Sequence, residues 1–121
     1  MKRKRTILIP YENFSKYGNK KTIADGITFD SKKESERYLV LKDMLMHDEI
    51  EDLQIQPKFL LQESFKYKNE TIRKIYYIAD FSYKKEGILI VEDVKGKRTD
   101  VYKLKRKLFL YKYTDLEFRE I

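Results

Sequence analysis

The sequence predicts an α/β domain with helices packed on a central mixed sheet, and three features carry that expectation. Two stretches, 31–47 and about 99–113, place apolar residues at helical spacing behind a capping residue. The 56–95 region between them is rich in β-branched and aromatic residues, broken by short turns. Helices that bracket a group of strands in this way pack on a shared sheet.

The elements follow in order. Residues 1–22, with Pro10, Gly18 and scattered polar residues, read as a basic arm, leaving 23–121 as one domain. Ile23 to Phe29 forms a short strand or turn around Gly26. Ser31 suits a helix N-cap, and Tyr38, Leu41 and Leu45 mark the inward stripe of a helix over 31–47. Asp48 and Glu49 leave that helix. Gln56 to Tyr67 reads as an extended segment with Pro57 near its entry, followed by a turn at Lys68-Asn69-Glu70. Ile72 to Tyr83 is the second strand, and Lys85-Glu86-Gly87 a tight hairpin connection. Ile88 to Lys95 is the third strand, ended by Gly96. Thr99 or Asp100 caps the second helix, with Val101, Leu104, Leu108 and Tyr111 on its apolar stripe. Leu116 to Ile121 adds a last strand, so the order is α-β-β-β-α-β.

Composition narrows the class of function. The chain has 121 residues, no cysteine and one histidine, His47. Disulfides and thiolate metal sites are thereby excluded, as is a histidine-rich metal centre. No apolar run approaches the ~20 residues that span a bilayer, and no cleavage site follows MKRKRTILIP. The expectation is a soluble, cytoplasmic protein without a membrane partner. Net charge is +7, unevenly distributed: residues 1–22 carry +6, residues 94–113 carry +7, and the remainder is acidic. A lysine-rich surface kept soluble by its charge has this bulk appearance. Basic segments flanking carboxylates also suit phosphate binding beside a cation.

The chemistry-bearing residues lie in ILIVEDVKG and YYIADFSY. Side chains alternate along a strand, so Asp93 and Lys95 share a face with Leu89 and Val91, while Glu92 points the other way. Asp80 interrupts an aromatic and β-branched strand, against propensity. The hairpin can set Asp80 beside Asp93, where two carboxylates repel unless one is protonated or a cation lies between them. A Mg²⁺ ion favours one or two carboxylates plus waters and substrate phosphate. The plainer alternative pairs Asp80 with Lys95 or Arg73 and leaves Asp93 at the start of a turn. Glu34 falls on the inward stripe with Tyr38, although a Glu three residues after Ser31 is also an ordinary capping box.

These residues resemble a known family. Asp80, then Asp93-x-Lys95, following a helix with an inward Glu34, is similar to the PD-(D/E)XK nuclease superfamily. The segments FDSKKESERY, YIADFSY and VEDVKG resemble small phage endonuclease I-type Holliday junction resolvases. The likeness covers about residues 17–113, with Ala79 where the motif has proline. It implies a restriction-endonuclease-like core and a Mg²⁺- or Mn²⁺-dependent endonuclease acting on DNA, branched in particular. Glu34, Asp80, Asp93 and Lys95 would be its catalytic residues, the three carboxylates would be metal ligands, and the protein would be a homodimer in a phage-infected bacterial cytoplasm. Lys97, Arg98, Lys103, Lys105, Arg106 and Lys107, in and beside the second helix, are the expected DNA contacts. A nicking or restriction-like nuclease on duplex DNA, and a non-catalytic nucleic-acid-binding protein, are the alternatives.

Overall fold

A computed structural model describes residues 5–9, 22–94, 96 and 98–121. The elements in chain order are β1 (Ile7–Leu8), β2 (Thr22–Ala24), β3 (Ile27–Phe29), α1 (Lys32–Met46), β4 (Glu51–Ile55), β5 (Lys58–Gln62), β6 (Phe65–Tyr67), β7 (Glu70–Ile72), β8 (Ile75–Ile78), β9 (Phe81–Lys85), β10 (Ile88–Asp93), α2 (Asp100–Lys112) and β11 (Leu116–Glu120). Five of the strands form one mixed sheet in the order β1-β4-β9-β10-β11. Its inner pairs, β4–β9 and β9–β10, are antiparallel, and its outer pairs, β1–β4 and β10–β11, are parallel.

Neighbouring residues of β10 separate the two faces. Ile90 packs with Tyr38, Leu41 and Leu45 of α1, and with Leu53, Ile55, Phe81 and Tyr83. Val91 packs with Tyr102 and Phe109 of α2, and with Tyr77. The helices therefore cover opposite sides of the sheet, as the strand alternation requires. α1 begins where expected: the Ser31 hydroxyl accepts the Glu34 N–H at 3.1 Å, and the inward stripe of Tyr38, Leu41 and Leu45 is buried. The β9–β10 connection is a two-residue turn with Glu86 at φ 52° and Gly87 at φ 78°. Two positive values in succession fit the turn type that matches strand twist.

The α-β-β-β-α-β order of the core holds, with α1, β4, β9, β10, α2 and β11 as its members, but two assignments need correction. The first core strand is Glu51–Ile55, not a segment within 56–67. Glu51 and Asp52 disguise it because acidic residues are poor strand formers. Burial of Leu53 and Ile55 between β9 and α1 outweighs that preference. The expected second strand, 72–83, breaks at Ala79 and Asp80. Residues 58–78 instead form a two-stranded ribbon, β5 with β8 and β6 with β7, carried on the β4–β9 pair.

A third correction concerns α2. Its expected apolar stripe lies outside, with Val101 62%, Leu104 58%, Leu108 43% and Tyr111 87% exposed. The buried residues are Tyr102 and Phe109, one heptad apart. Aromatic packing decides the rotation. Phe109 lies 4.8 Å from Phe59, 4.9 Å from Tyr77, 5.3 Å from Tyr113 and 5.9 Å from Phe118, ring centre to ring centre. Rings packed at these separations gain from one another beyond the area they remove from water. Lys105 and Arg106 share this inward side, half-buried. Arg106 is accommodated by laying its guanidinium over Phe118 and pairing with Glu120.

Candidate functional site

The sheet register brings the two motif aspartates together. The β9–β10 pairing runs from Lys85↔Ile88 to Phe81↔Glu92, and Asp80 and Asp93 lie just beyond its last pair. Both stand close enough to the Tyr77 hydroxyl to act on its charge. Both are buried, Asp80 at 3% exposure and Asp93 at 6%. The Asp80 carboxylate accepts the Val94 N–H at 2.7 Å, and the Asp80 N–H donates to the Glu92 carbonyl at 3.1 Å. The Tyr77 hydroxyl donates to the Asp93 carboxylate. From the other side of β10, the Ile121 N–H holds the Asp93 carbonyl at 2.9 Å.

Glu92 faces away from this pair, as the alternation predicts. It is fully buried on the α1 side, where Arg37 grips both its oxygens at 2.8 and 2.6 Å and the Tyr83 hydroxyl donates to it. Glu92 is thus committed to a structural ion pair. Its hydrogen bond to Arg37 is the main reason the guanidinium pKa is raised. Arg37 stands one turn after Glu34, so the first turns of α1 lie beside the end of β10. Glu34 is 7% exposed. Among the described residues, however, no three Asp, Glu, His or Cys side chains converge as a metal-holding group, so Glu34 does not close up with Asp80 and Asp93.

Lys95 and Lys97 lie outside the described residues. Of the other expected DNA contacts, Arg98 pairs with Glu120 at 2.8 Å and Arg106 with the same carboxylate at 3.2 Å, while Lys103 and Lys107 are exposed. Pairing with one buttressing glutamate ties both arginines to β11 and reduces what they can offer a phosphate.

Three buried residues were not singled out by their sequence. Tyr77 looks like one more strand aromatic, and only the fold turns its hydroxyl onto Asp93. Asp30 ends β3 just before α1 and is 1% exposed; its place in FDSKKE, next to the N-cap, was the available signal. Gln56 is buried, its N–H donates to the Asp80 carbonyl at 2.9 Å, and its φ is 52°. A glutamine in the left-handed region carries strain that the surroundings must enforce. That strain sits at the bend where the ribbon leaves the sheet, one hydrogen bond from Asp80.

Residues 14–121 match the family described as "Protein of unknown function (DUF1064)". The chain belongs to this family. The match takes in every element from β2 to β11, and with them Glu34, Asp80, Asp93 and Lys95. No curated protein matches this DUF1064 member. Among its described residues, no helix is long and apolar enough to cross a membrane.

Three buried phenols should make the stability of this DUF1064 member fall at alkaline pH. Burial, followed by the charge and hydrogen bond of Asp93, drives the Tyr77 pKa far above its ordinary 10. Burial foremost, then Glu92, pushes Tyr83 up to about 12. Tyr102 is raised by burial, then by Asp93 and Glu120. The folded state holds these protons more tightly than the unfolded chain does. Their contribution to stability is therefore complete below pH 10 and is lost as pH rises through the folded values. Thermal melts between pH 9 and 12 should show a steep fall beginning near 10, with Tyr83→Phe flattening part of it. A flat profile would mean that these phenols are not buried against carboxylates.

Proposed function

We propose that the protein is a metal-dependent DNA endonuclease that hydrolyses phosphodiester bonds, on branched DNA such as Holliday junctions in phage recombination. The supporting observation is that Asp80 and Asp93, both buried, lie just past the last pair of the central hairpin and beside the same Tyr77 hydroxyl. Two hard carboxylate donors fit a Mg²⁺ or Mn²⁺ ion that keeps several waters. When bound, that ion polarises the scissile phosphate and lowers the pKa of a coordinated water. Asp80 and Asp93 would hold it directly, with Glu34 acting through a water. Tyr77 and the Val94 N–H fix the two carboxylates, so little reorganisation is required of them. Lys95 would orient the attacking water and steady charge developing on the phosphate. Exposed Lys103 and Lys107 would contact the backbone, and a homodimer would present two sites to a symmetric junction.

One observation favours a second reading, a nucleic-acid-binding protein without catalysis: no third carboxylate closes on the aspartate pair among the described residues. Incubation with a four-way junction, a linear duplex and single strands, each with Mg²⁺, Mn²⁺ or EDTA, separates the readings. The expected result is metal-dependent cutting, strongest on the junction. Equal cutting of junction and duplex would point to a nicking or restriction-like enzyme. Binding without cutting under either metal would establish the non-catalytic reading.

A further inference from the structure

Residues 58–78 extend the β4–β9 pair as a two-stranded ribbon that bends at Gln56-Pro57 on one strand and Ala79-Asp80 on the other. Backbone hydrogen bonds bridge the bend, from Ala79 N–H to the Pro57 carbonyl at 3.1 Å and from Gln56 N–H to the Asp80 carbonyl at 2.9 Å. One face of β5–β8 is packed on α2 through Phe59, Leu61 and Tyr77. The opposite face follows from alternation: Lys58 pairs across from Ile78 and Leu60 from Tyr76, with Lys74 two residues before Tyr76. Lys58 and Lys74 are exposed, and their ammonium groups lie 5.7 and 5.5 Å from the Tyr76 ring centre. A basic and aromatic patch thus lies on the ribbon face turned away from α2.

The far end has the same character. Every residue from 62 to 71 is exposed, including Phe65 at 48% and Tyr67 at 59%, with Lys68 5.5 Å from the Tyr67 ring. The ribbon carries five basic residues against two acidic. The seven residues from Ile72 to Ile78, taken as extended chain, span roughly 20 Å. The charge is wrong for a second copy of this basic chain and right for a polyanion, while exposed rings beside cations suit base stacking.

We propose that the ribbon is the DNA-docking arm of the protein: the phosphate backbone lies along Lys58 and Lys74, and Phe65 and Tyr67 stack on bases beyond it. This deepens the endonuclease reading and rests on it for the identity of the polyanion. Binding of a fluorescein-labelled four-way junction, followed by anisotropy in EDTA over a series of salt concentrations, tests it separately from cleavage. For Lys58→Gln with Lys74→Gln, the slope of log K against log salt should become shallower by about one per lysine. Phe65→Ala with Tyr67→Ala should weaken binding at least tenfold with the slope unchanged. Lys84→Gln, an exposed charge on β9, serves as the control for loss of charge elsewhere and should leave both unchanged. All these positions are at the surface, and unchanged melting curves verify folding. Wild-type slope and affinity in both double variants would overturn the docking arm while leaving the endonuclease intact. Loss of binding in those variants, with a wild type that never cuts, would uphold the arm and refute the hydrolysis. A wild type that binds no DNA would overturn both.

Discussion

Asp93→Asn should abolish metal-dependent cutting, by at least about 100-fold, while leaving junction affinity in EDTA unchanged. The rate loss is of the size seen when one preorganised electrostatic partner is removed from a reacting centre. The substitution removes a charged ligand and no basic contact. The asparagine oxygen can still accept from the Tyr77 hydroxyl, so the fold is preserved. A readout independent of activity comes from thermal stability. Asp80 and Asp93 are both buried beside the Tyr77 hydroxyl. A cation bound to the folded state alone raises stability, by about 2.7 kcal/mol at a hundred times its dissociation constant. Mg²⁺ should therefore raise the melting temperature of the wild type and have little effect on Asp93→Asn. Equal stabilisation of both proteins, with equal cutting, would remove Asp93 from the site.

The largest loss of stability should come from Arg37→Ala. This change leaves the Glu92 carboxylate fully buried with only the Tyr83 hydroxyl of its named partners, and removing one member of a buried pair costs about 3–5 kcal/mol. For a domain whose total stability is about 5–15 kcal/mol, that is a large share. Replacing both members, as Arg37→Met with Glu92→Leu, should recover most of it, because neither charge then has to be desolvated. Urea denaturation of the two proteins measures the difference. Should Arg37→Ala unfold at the wild-type midpoint, the ion pair contributes nothing to stability.

The parts of this protein that were legible in its sequence are those where one local rule operates. Alternation along ILIVEDVKG was enough to send Asp93 and Glu92 to opposite faces. Ser31 was enough to start α1, and Glu86-Gly87 to close the central hairpin. What escaped was set by partners distant in the chain. Leu53 and Ile55 make a strand of EDLQI only because β9 and α1 cover them. Tyr102 and Phe109 take the inside of α2 because Phe59, Tyr77 and Phe118 await them there, although the aliphatic residues at 101, 104 and 108 have the cleaner helical period. The Arg37 and Tyr77 contacts likewise needed the fold: each residue looks ordinary until β10 is placed beside it. Asp80 and Asp93 stood out because carboxylates in apolar strands break a rule that most strand residues obey, and such breaches tend to mark function.

The architecture also orders the steps of folding. The β9–β10 ladder begins at a two-residue turn and can zip locally, and hairpins of this kind form on a timescale of about 1–10 μs. Its neighbours close much larger loops: β11 returns only after α2, and β1 joins β4 only across the whole of α1. Such nonlocal pairings are slow. Asp80 and Asp93 lie at the open mouth of the hairpin, where the ladder is completed last and where the Ile121 amide arrives only with β11. Repulsion between the two acids is therefore deferred until the surrounding framework is rigid enough to contain it.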